Sequence, residues 1–509
     1  MAEVAKIFSA ELEGIHAKLI DVEVDINVGL HAFNIVGLAD KALSEAKERV
    51  NSALKNSGLK PPNRENRKIT VNLAPADIKK AGSQYDLAIA LGYLLASKQI
   101  KEFNSADKIF IGELSLDGGL RPVFGSLNIA EMAESKKIEY LFLPEGNVKE
   151  ASVIKNLKVI PVKNILEIIE ILEGRKSALP ALADFSSPPG KYEIDLADIR
   201  GQENGKRALV ISASGGHNLL MSGPPGSGKS MLAKALVSIL PPMALEESIE
   251  ATKIYSVAGL TKEGIINIRP FRSPHHTASG VSIIGGGQIP KPGEISLAHR
   301  GVLFLDEIPE FRKDVLESLR QPLEDGRVFV SRARGALEFP ARFSLIAAMN
   351  PCPCGFYNDP DKDCRCTANE IFRYQKKISG PLLDRIDLQI FVPRVKTSEL
   401  MESDSVPKKG SAELRNLVIK ARARQKERFK KLGVKIFTNS EMSSKLASAV
   451  VNLDKEGENF LKSALEKSFI SGRGFYRILK VARTIADLED SENVLASHLK
   501  EAFQYRLKD

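Results

Sequence analysis

No apolar run in this 509-residue sequence reaches the roughly 18 residues that a membrane-spanning helix requires. The first residues, MAEVAKIFSAELEG, carry acidic side chains and lack the apolar stretch of a secretory signal. These two absences argue against a membrane protein and against a secreted one. We therefore expect a cytoplasmic protein without a membrane partner.

Cysteine is scarce, and the four cysteines of the chain all lie within one short stretch. A secreted disulfide framework would spread its cysteines along the chain, so this crowding indicates a metal site in a reducing compartment. The spacing is C-x-C, nine residues, then C-x-C, and four such thiolates can close one tetrahedral zinc site of the structural type. Common zinc ribbons use C-x-x-C pairs, and free thiols are the alternative. The predicted zinc ligands are Cys352, Cys354, Cys364 and Cys366.

Positive charge is in excess, with 73 Lys and Arg against 64 Asp and Glu and a net charge of +9. Much of the excess lies between Lys396 and Lys435, where 12 basic residues stand against 5 acidic ones. Such a stretch is typical of a surface that binds a phosphate backbone. The alternative is an ordinary solvated helix face with a basic bias.

The length is typical of about three domains, and the residue patterns change at positions that suit this number. Proline, serine and alanine mark a first linker, and a proline followed by polar residues marks a second. Between the linkers, helices alternate with buried strands, which is the pattern of a doubly wound parallel sheet. The predicted parts are an α/β domain over 1–172, a linker over 173–191, an α/β nucleotide-binding domain over 192–392, a linker over 393–410 and a helical domain over 411–509.

Within the first domain, the sequence predicts a helix over 40–57 with Asp40 as its N-cap, and a second helix over 86–97. Strand-like runs precede, separate and follow these helices, so the domain mixes both kinds of element. The first predicted strands are Leu19–Val28, Phe33–Val36, Lys68–Leu73 and Lys108–Leu114.

A complete phosphate-binding loop, GPPGSGKS, occupies residues 223–230. Its glycines let backbone N–H groups turn toward the phosphates of a nucleotide, and the following helix directs its positive dipole end at them. Lys229 supplies charge to the outer phosphates, and Ser230 supplies a hydroxyl ligand for Mg²⁺. The predicted nucleotide-binding residues are Gly223, Pro224, Pro225, Gly226, Ser227, Gly228, Lys229, Ser230 and, farther along, Asp306.

A buried strand about 70 residues later, in the string GVLFLDE, ends in two adjacent carboxylates. We expect it to deliver Asp306 to the Mg²⁺ and Glu307 to a water molecule. The full loop followed by a strand with this ending predicts NTP binding. The alternative is a chance loop between buried elements.

Three further residues fit the same ATPase site. Asn350 ends an apolar strand and would hold the attacking water near the γ-phosphate, although a turn residue before a proline is the alternative. Arg385 lies between two aspartates and would either pair with them on the surface or reach the nucleotide of a neighbouring subunit. Arg473, at the start of a helix, would touch the same phosphates from a helical lid.

Five strings carry a resemblance that covers nearly the whole chain: GPPGSGKS, GVLFLDE, AAMNPCPCG, SGPLLDRIDL and SGRGFYRILKVARTIADL. In combination they resemble the ComM (YifB) competence-related family of magnesium-chelatase-like AAA+ ATPases. The resemblance implies ATP and Mg²⁺ as cofactors, Asn350 as a sensor, Arg385 as an arginine finger acting in trans and Arg473 as the sensor of a C-terminal helical lid. It also implies a homo-hexameric ring, because a finger that acts in trans needs a neighbour.

Two insertions bear on what the ring would act upon. One precedes the Asp-Glu strand and carries Arg272, His275 and His276; the other predicts a hairpin with Arg332 and Arg334 at its tip. In related rings both insertions face the central pore, which implies contact with single-stranded or branched DNA. Exposed, solvated charges are the alternative.

The first domain contains the strings KKAGSQYDLAIALGYLLA and GELSLDGGLRPVFGSLNIAEMAESKKIEYLFLPEGN. These strings resemble the proteolytic domain of Lon-type proteases, a fold of the ribosomal S5 domain 2-like type. A Lon-type enzyme needs a serine nucleophile activated by a lysine. Gln84 occupies the expected serine position, Asn128 and its neighbours occupy the expected lysine position, and Ser83 is displaced from the pattern. We expect a fold without peptidase chemistry, which serves as a scaffold or a DNA-contacting collar.

The leading hypothesis is an ATP-dependent DNA translocase or helicase. The family resemblance implies branch migration in homologous recombination during natural transformation. The alternative is a chelatase-type motor subunit that couples ATP hydrolysis to metal insertion or to protein remodelling. The missing Ser–Lys pair argues against a third class, the ATP-dependent proteases.

Overall fold

The computed structural model describes residues 4–506 apart from a set of short gaps. Within it the chain forms two compact units, each continuous in space but not in sequence. The first unit comprises Met1–Pro188, Ser248–Ile266 and Ser331–Glu338, and the second comprises Pro189–Glu247, Asn267–Val330 and Phe339–Asp509. The positions outside the description are 39, 65, 183–191, 262–263, 288–289, 333–334, 396–409 and 468–470.

The main sheet of the first unit has four strands in the order β1-β2-β4-β3, with β3 and β4 parallel and the other pairs antiparallel. The sequence did not predict β1. Its inward-facing positions include Ser9 and Glu11, both buried, so the apolar alternation that marks a strand is interrupted. The strands are β1 Ala5–Glu13, β2 His16–Val28, β3 Ala32–Val36 and β4 Arg67–Ala74.

A smaller parallel sheet, β5-β8-β9, and the short antiparallel pair β6-β7 complete the strands of the first unit. The predicted strand Lys108–Leu114 is interrupted, because Gly112 bonds through its backbone to Gln84 and Leu87 rather than to a neighbouring strand. These strands are β5 Lys108–Phe110, β6 Glu113–Leu114, β7 Leu120–Arg121, β8 Tyr140–Pro144 and β9 Lys158–Val162.

The predicted first helix is present with the predicted cap but with a break. The Oδ1 atom of Asp40 accepts a hydrogen bond from the N–H of Leu43 at 2.8 Å, which confirms the N-cap. The helix stops at Ser44 and resumes at Ala46. The helices before residue 180 are Lys41–Ser44, Ala46–Asn56, Asp86–Ala96, Ser126–Ser135, Val148–Ala151 and Ile165–Leu172.

A five-stranded parallel sheet, in the order β11-β14-β17-β10-β18, forms the centre of the second unit. This confirms the predicted parallel sheet. The predicted hairpin is also present as β15-β16, although Ser331–Glu338 of it belong to the first unit, and β12-β13 form a second small pair. The strands are β10 Leu219–Ser222, β11 Phe271–Arg272, β12 Gly285–Gly286, β13 Lys291–Pro292, β14 Val302–Leu305, β15 Arg327–Arg332, β16 Gly335–Pro340, β17 Ser344–Met349 and β18 Leu388–Phe391.

The C-terminal helices share one hydrophobic core with this parallel sheet. Met221 and Ile346 of the sheet belong to the same buried cluster as Ile478 and Ile485 of the helix Gly472–Leu488. The assignment of residues 411–509 to a separate lid stays a prediction. The helices after residue 200 are Glu203–Gly215, Lys229–Ile239, Leu245–Ala258, Gly280–Ile284, Glu294–Leu297, Lys313–Ser318, Pro322–Asp325, Ala368–Gln375, Gly380–Leu383, Ser411–Lys431, Ser444–Val450, Lys455–Lys467, Gly472–Leu488 and Ala496–Gln504.

Among the helices that the structure describes, none combines the length and the apolar character required to cross a membrane.

We predict that the first unit becomes less stable as pH rises, because the buried carboxyl of Glu11 must then ionise. Burial raises the pKa of this carboxyl to about 7, because the charged form is poorly solvated, while hydrogen bonds from Tyr85 and Ala81 oppose the rise. The folded state then binds more protons than the unfolded state from about pH 4.5 to about pH 7, so stability falls across that range by up to about 3 kcal/mol. The midpoint temperature of thermal unfolding should differ less between pH 5 and pH 8 in Glu11→Gln than in the wild-type protein. Equal differences would contradict the prediction.

Candidate nucleotide-binding site

The phosphate-binding loop lies at the carboxyl end of β10, between that strand and the helix Lys229–Ile239. β10 has β17 on one side and β18 on the other. Gly226 and Gly228 adopt positive φ angles of 78° and 90°, which are readily accessible only to glycine. Ligands of open parallel sheets bind at this carboxyl edge, so the loop occupies the position at which a nucleotide is expected.

The ammonium group of Lys229 is held inside the loop by backbone carbonyls. Its Nζ donates to the carbonyl oxygens of Gly223 at 2.7 Å and Pro224 at 2.9 Å, and it lies 3.4 Å from Oδ1 of Asn350. Burial lowers the pKa of Lys229 to about 8, although Asp306 and Glu307 act in the opposite direction. A buried cation with neutral partners is well suited to accept an anionic phosphate.

The two predicted Mg²⁺ ligands are hydrogen-bonded to each other. The Oγ atom of Ser230, one residue into the helix, donates to Oδ2 of Asp306 at 2.7 Å. Asp306 follows β14, whose four residues are all buried. A hydroxyl and a carboxylate at this distance are the oxygen ligands that Mg²⁺ prefers, so these residues fit the ion.

Asn350 lies on the same edge, since it follows β17 and β17 pairs with both β14 and β10. Glu307 adopts a left-handed φ of 49°, and its side chain is 53% exposed. The structure therefore brings Lys229, Ser230, Asp306 and Asn350 together, with Glu307 directly beside them.

His276, a predicted DNA contact, lies beside Glu307. Its Nδ1 is 3.8 Å from Oε2 of Glu307, and its ring lies against His275 with centroids 4.1 Å apart. The reason is topological: β11 pairs in parallel with β14, so the segment after Arg272 emerges close to the end of β14. Sequence spacing could not reveal this proximity, because the two strands are separated by the whole insertion.

Arg272, another predicted DNA contact, is already paired. Its Nε and Nη2 donate to the two carboxylate oxygens of Glu294 at 2.6 and 2.7 Å. For Arg332 the structure describes only the backbone, at the end of β15, and Arg334 lies outside the described residues. DNA contact by this group stays a prediction.

The structure does not bring Arg385 and Arg473 to the phosphate loop of their own chain. Arg385 precedes β18 and the loop follows the parallel strand β10, so they lie at opposite edges of the sheet. The Nη1 atom of Arg385 donates to the carbonyl of Pro381 at 2.7 Å, and its Nη2 pairs with Glu324. Arg473 donates to the other oxygen of Glu324 at 3.0 Å. No sequence signal identified Glu324, which is 61 residues from Arg385.

A cavity of about 540 Å³ opens at this amino edge of the sheet. Arginine and lysine side chains outnumber the carboxylates that line it, and Glu324 is shared by two of the arginines. Asp387, also in the lining, is fully buried; burial raises the pKa of its carboxyl, but Arg477 and His217 outweigh this and hold it well below its ordinary value. The basic lining residues are Arg269, Arg300, Arg342, Arg385, Arg422, Arg473, Arg477 and Lys480.

Several basic residues of the stretch predicted as a DNA surface form hydrogen bonds and ion pairs inside the second unit. In the helix Ser411–Lys431, Arg415 and Arg422 donate to backbone carbonyls of the core helices, and Arg428 pairs with Asp487. Residues 396–409 lie outside the described part of the chain. The local charge excess therefore overstates the charge that is available to a partner.

The four cysteines form a cluster that fits a tetrahedral metal. The Sγ atom of Cys352 lies 3.4 Å from that of Cys354 and 3.7 Å from that of Cys364, and Cys354 and Cys364 are 3.6 Å apart. All four sulfurs, including that of Cys366, lie within 4.8 Å of one another. Zinc–sulfur bonds of about 2.3 Å give a tetrahedron with edges of about 3.8 Å, whereas a disulfide needs about 2.05 Å. The geometry therefore suits four thiolate ligands better than two disulfides.

In the first unit, the residues at the predicted Lon-type positions are engaged in structural contacts. Gln84 donates to Ala81 at 2.9 Å, and Asn128 is buried and donates to the carbonyl of Ile15 at 2.7 Å. Ser83 donates to the carboxylate of Glu113, which cannot activate it as a lysine would. The absence of peptidase chemistry in this unit stays a prediction.

Comparison with family models gives three matches that together span most of the chain. Residues 195–400 match "Magnesium chelatase, subunit ChlI", residues 22–147 match "Subunit ChlI of Mg-chelatase", and residues 408–506 match "Magnesium chelatase, subunit ChlI C-terminal".

Curated proteins match over the full length. The chain is 42% identical over 512 residues to the competence protein ComM of Haemophilus influenzae, covering 99% of this chain and 97% of that protein. It is 42% identical over 498 residues to YifB of Salmonella typhimurium, covering 97% and 96%. It is also 30% identical over 183 residues to Lon protease 2 of Bacillus subtilis, which covers 31% of this chain and 32% of that protein.

We predict that two substitutions at the carboxyl edge will separate nucleotide binding from hydrolysis. Lys229→Ala removes the cation inside the loop and should abolish binding of a fluorescent ATP analogue. Glu307→Gln should keep binding within about twofold but lower turnover by at least about a hundredfold, because the water loses its polarising carboxylate. Lys234→Ala, an exposed lysine on the same helix, is the matched control and should change neither quantity. Normal turnover in Glu307→Gln would contradict the assignment.

Proposed function

The chain belongs to the ComM and YifB family of magnesium-chelatase-like proteins, and on that premise we propose that it is an AAA+ ATPase that moves DNA. One observation carries the ATPase part of the proposal. Lys229, Ser230, Asp306 and Asn350 converge at the carboxyl edge of one parallel sheet, around a complete phosphate-binding loop.

Each residue at this edge has a distinct task in the proposed reaction. Lys229 and the loop amides would bind the phosphates, and Ser230 and Asp306 would hold a Mg²⁺ ion, which would supply neutralising positive charge. Glu307 orients and polarises the attacking water, and Asn350 holds that water near the γ-phosphate. In this scheme, the carbonyl partners of Lys229 are exchanged for phosphate oxygens when ATP binds.

We further propose that Arg385 and Arg473 act on the nucleotide of a neighbouring chain in a homo-hexameric ring. Both lie at the amino edge, across the sheet from their own phosphate loop, and share Glu324 as a carboxylate partner. The side chain of Arg473 is 57% exposed, whereas that of Arg385 is 7% exposed. Release of both guanidinium groups from one carboxylate would supply positive charge to a transition state formed by the next subunit.

DNA is the proposed substrate, and branch migration during the recombination of incoming DNA in natural transformation is the proposed role. The support is full-length similarity to a protein named for competence. The magnesium-chelatase family models support the alternative, a motor subunit for metal insertion, and the two differ in whether DNA changes turnover. We also propose one structural zinc ion on the four cysteines, which is supported by their tetrahedral spacing.

The translocase proposal predicts that DNA will stimulate ATP hydrolysis. Adding a four-way junction or single-stranded DNA should raise turnover several-fold, and the wild-type protein with ATP should convert a labelled junction into its branch-migrated products. Glu307→Gln should still bind ATP and DNA yet produce no branch migration. If neither DNA alters turnover or binds, the translocase proposal fails and the chelatase-type alternative is favoured.

The proposal for Arg385 predicts complementation between two inactive variants. Arg385→Ala keeps its phosphate loop, and Lys229→Ala keeps its arginine, so a mixed ring contains some interfaces with both groups intact. Each variant alone should show less than about 1% of wild-type turnover, and an equal mixture should recover a measurable fraction of it. Arg312→Ala, which removes an exposed arginine paired with Asp314, is the control and should stay active. Failure of the mixture to regain activity while rings form would contradict action in trans.

A further inference from the structure

The loop that carries the four cysteines lies directly against the phosphate-binding loop. Gly355, between the two C-x-C pairs, adopts a φ of 85°, and a Cβ atom placed on it would come within 2.6 Å of Cδ of Pro225. Only a glycine allows this approach. Pro225 is the third residue of the phosphate loop, so the two loops share a contact surface.

The same segment also carries a group that faces Lys229. Asn350 immediately precedes the cysteine loop, and its Oδ1 lies 3.4 Å from Nζ of Lys229. Cys352 follows two residues later and is fully buried. The carbonyl of Pro351, between them, accepts a hydrogen bond from Gln375 at 3.1 Å. A displacement of Cys352 would therefore be transmitted to Asn350 over a very short length of chain.

The cysteine loop contains no helix or strand between Pro351 and Thr367. Besides a few turn-type hydrogen bonds, its internal contacts include two backbone N–H groups that point to sulfurs. The N–H of Tyr357 points to Sγ of Cys352 at 3.3 Å, and the N–H of Cys354 points to Sγ of Cys366 at 3.4 Å. A metal on the four thiolates would cross-link both ends of this loop and restrict its conformations. The shape that Gly355 presents to Pro225 then depends on the metal.

We propose that metal binding at the four cysteines and nucleotide binding at the phosphate loop are coupled, so that each strengthens the other. The proposal rests on the zinc site and the ATPase site proposed above. With the metal bound, Gly355 supports Pro225 and Asn350 is held toward Lys229. Without it, nucleotide binding must order both loops and is weaker. Coupling between binding sites is reciprocal, so the nucleotide strengthens zinc binding by the same factor.

The test measures both affinities on the full-length protein. The dissociation constant of a fluorescent, non-hydrolysable ATP analogue is determined with Mg²⁺ present, for the zinc-loaded protein and after removal of zinc by a zinc-selective chelator. Zinc content is measured in each sample. The zinc affinity is then determined by chelator competition with and without the analogue. We expect the analogue to bind about tenfold more weakly without zinc. We expect zinc to bind more weakly without the analogue by the same factor.

Two variants distinguish the effect of the contact between Gly355 and Pro225 from the effect of the metal. Gly355→Ala leaves all four cysteines in place and should keep zinc, but its methyl group should displace Pro225 and reduce the coupling factor to about one, which means equal analogue affinity with and without zinc. Gly433→Ala is the matched control, because Gly433 also has a positive φ, of 66°, but no atom lies near its Cβ position. Cys364→Ser should lose zinc and bind the analogue as the zinc-free wild type does.

The outcomes are distinguishable. Equal analogue affinity in loaded and zinc-free wild-type protein overturns the coupling, and so does undiminished coupling in Gly355→Ala. A zinc content near zero in the purified protein overturns the metal site itself. Absence of analogue binding to the zinc-loaded protein overturns the nucleotide site.

Discussion

The parallel alignment of β14, β17 and β10 is the constraint on which the candidate site depends. The pairing register places Leu305 opposite Ala347 and Met221 opposite Ala348, so the three strands end at the same edge. Each of them is followed at once by a polar group or by the phosphate loop. The register is enforced by burial, because all four residues of β14 are buried and a slip of one position would place the Asp306 carboxylate in the apolar core.

Charge is distributed unequally between the two edges of this sheet. The carboxyl edge holds Asp306 and Glu307 beside the buried Lys229, whereas the amino edge holds a cavity in whose lining arginine and lysine outnumber the carboxylates. Within one chain these opposite charges are kept apart by the length of the strands. A head-to-tail contact between identical chains would bring them together, and such heterologous contacts close into rings when the rotation allows it. The charge asymmetry and the position of Arg385 thus support the same form of assembly.

Local strings in the sequence were sufficient to predict the residues of the carboxyl edge and the cysteine cluster. In both cases the chemistry is carried by residues that are close in sequence or that end consecutive buried strands, so spacing alone indicates proximity. The partners that come from distant elements could not be predicted. Glu324 meets Arg385 only through tertiary packing, and His276 reaches Glu307 because β11 pairs with β14. The contact of Gly355 with Pro225 likewise depends on packing between two loops.

The basic stretch after residue 396 shows why composition is a weak guide to a nucleic-acid surface. An arginine can stabilise a fold as effectively as it binds a phosphate, because its guanidinium group donates several hydrogen bonds in one plane. Arg422 illustrates this, since two of its nitrogens donate to the carbonyl of Ala213 at 2.9 and 2.6 Å, at the end of the helix Glu203–Gly215. A cation at the C-terminus of a helix also interacts favourably with the helix dipole. Arginines engaged in this way stabilise the core of the second unit, so their charge is not evidence for a nucleic-acid surface.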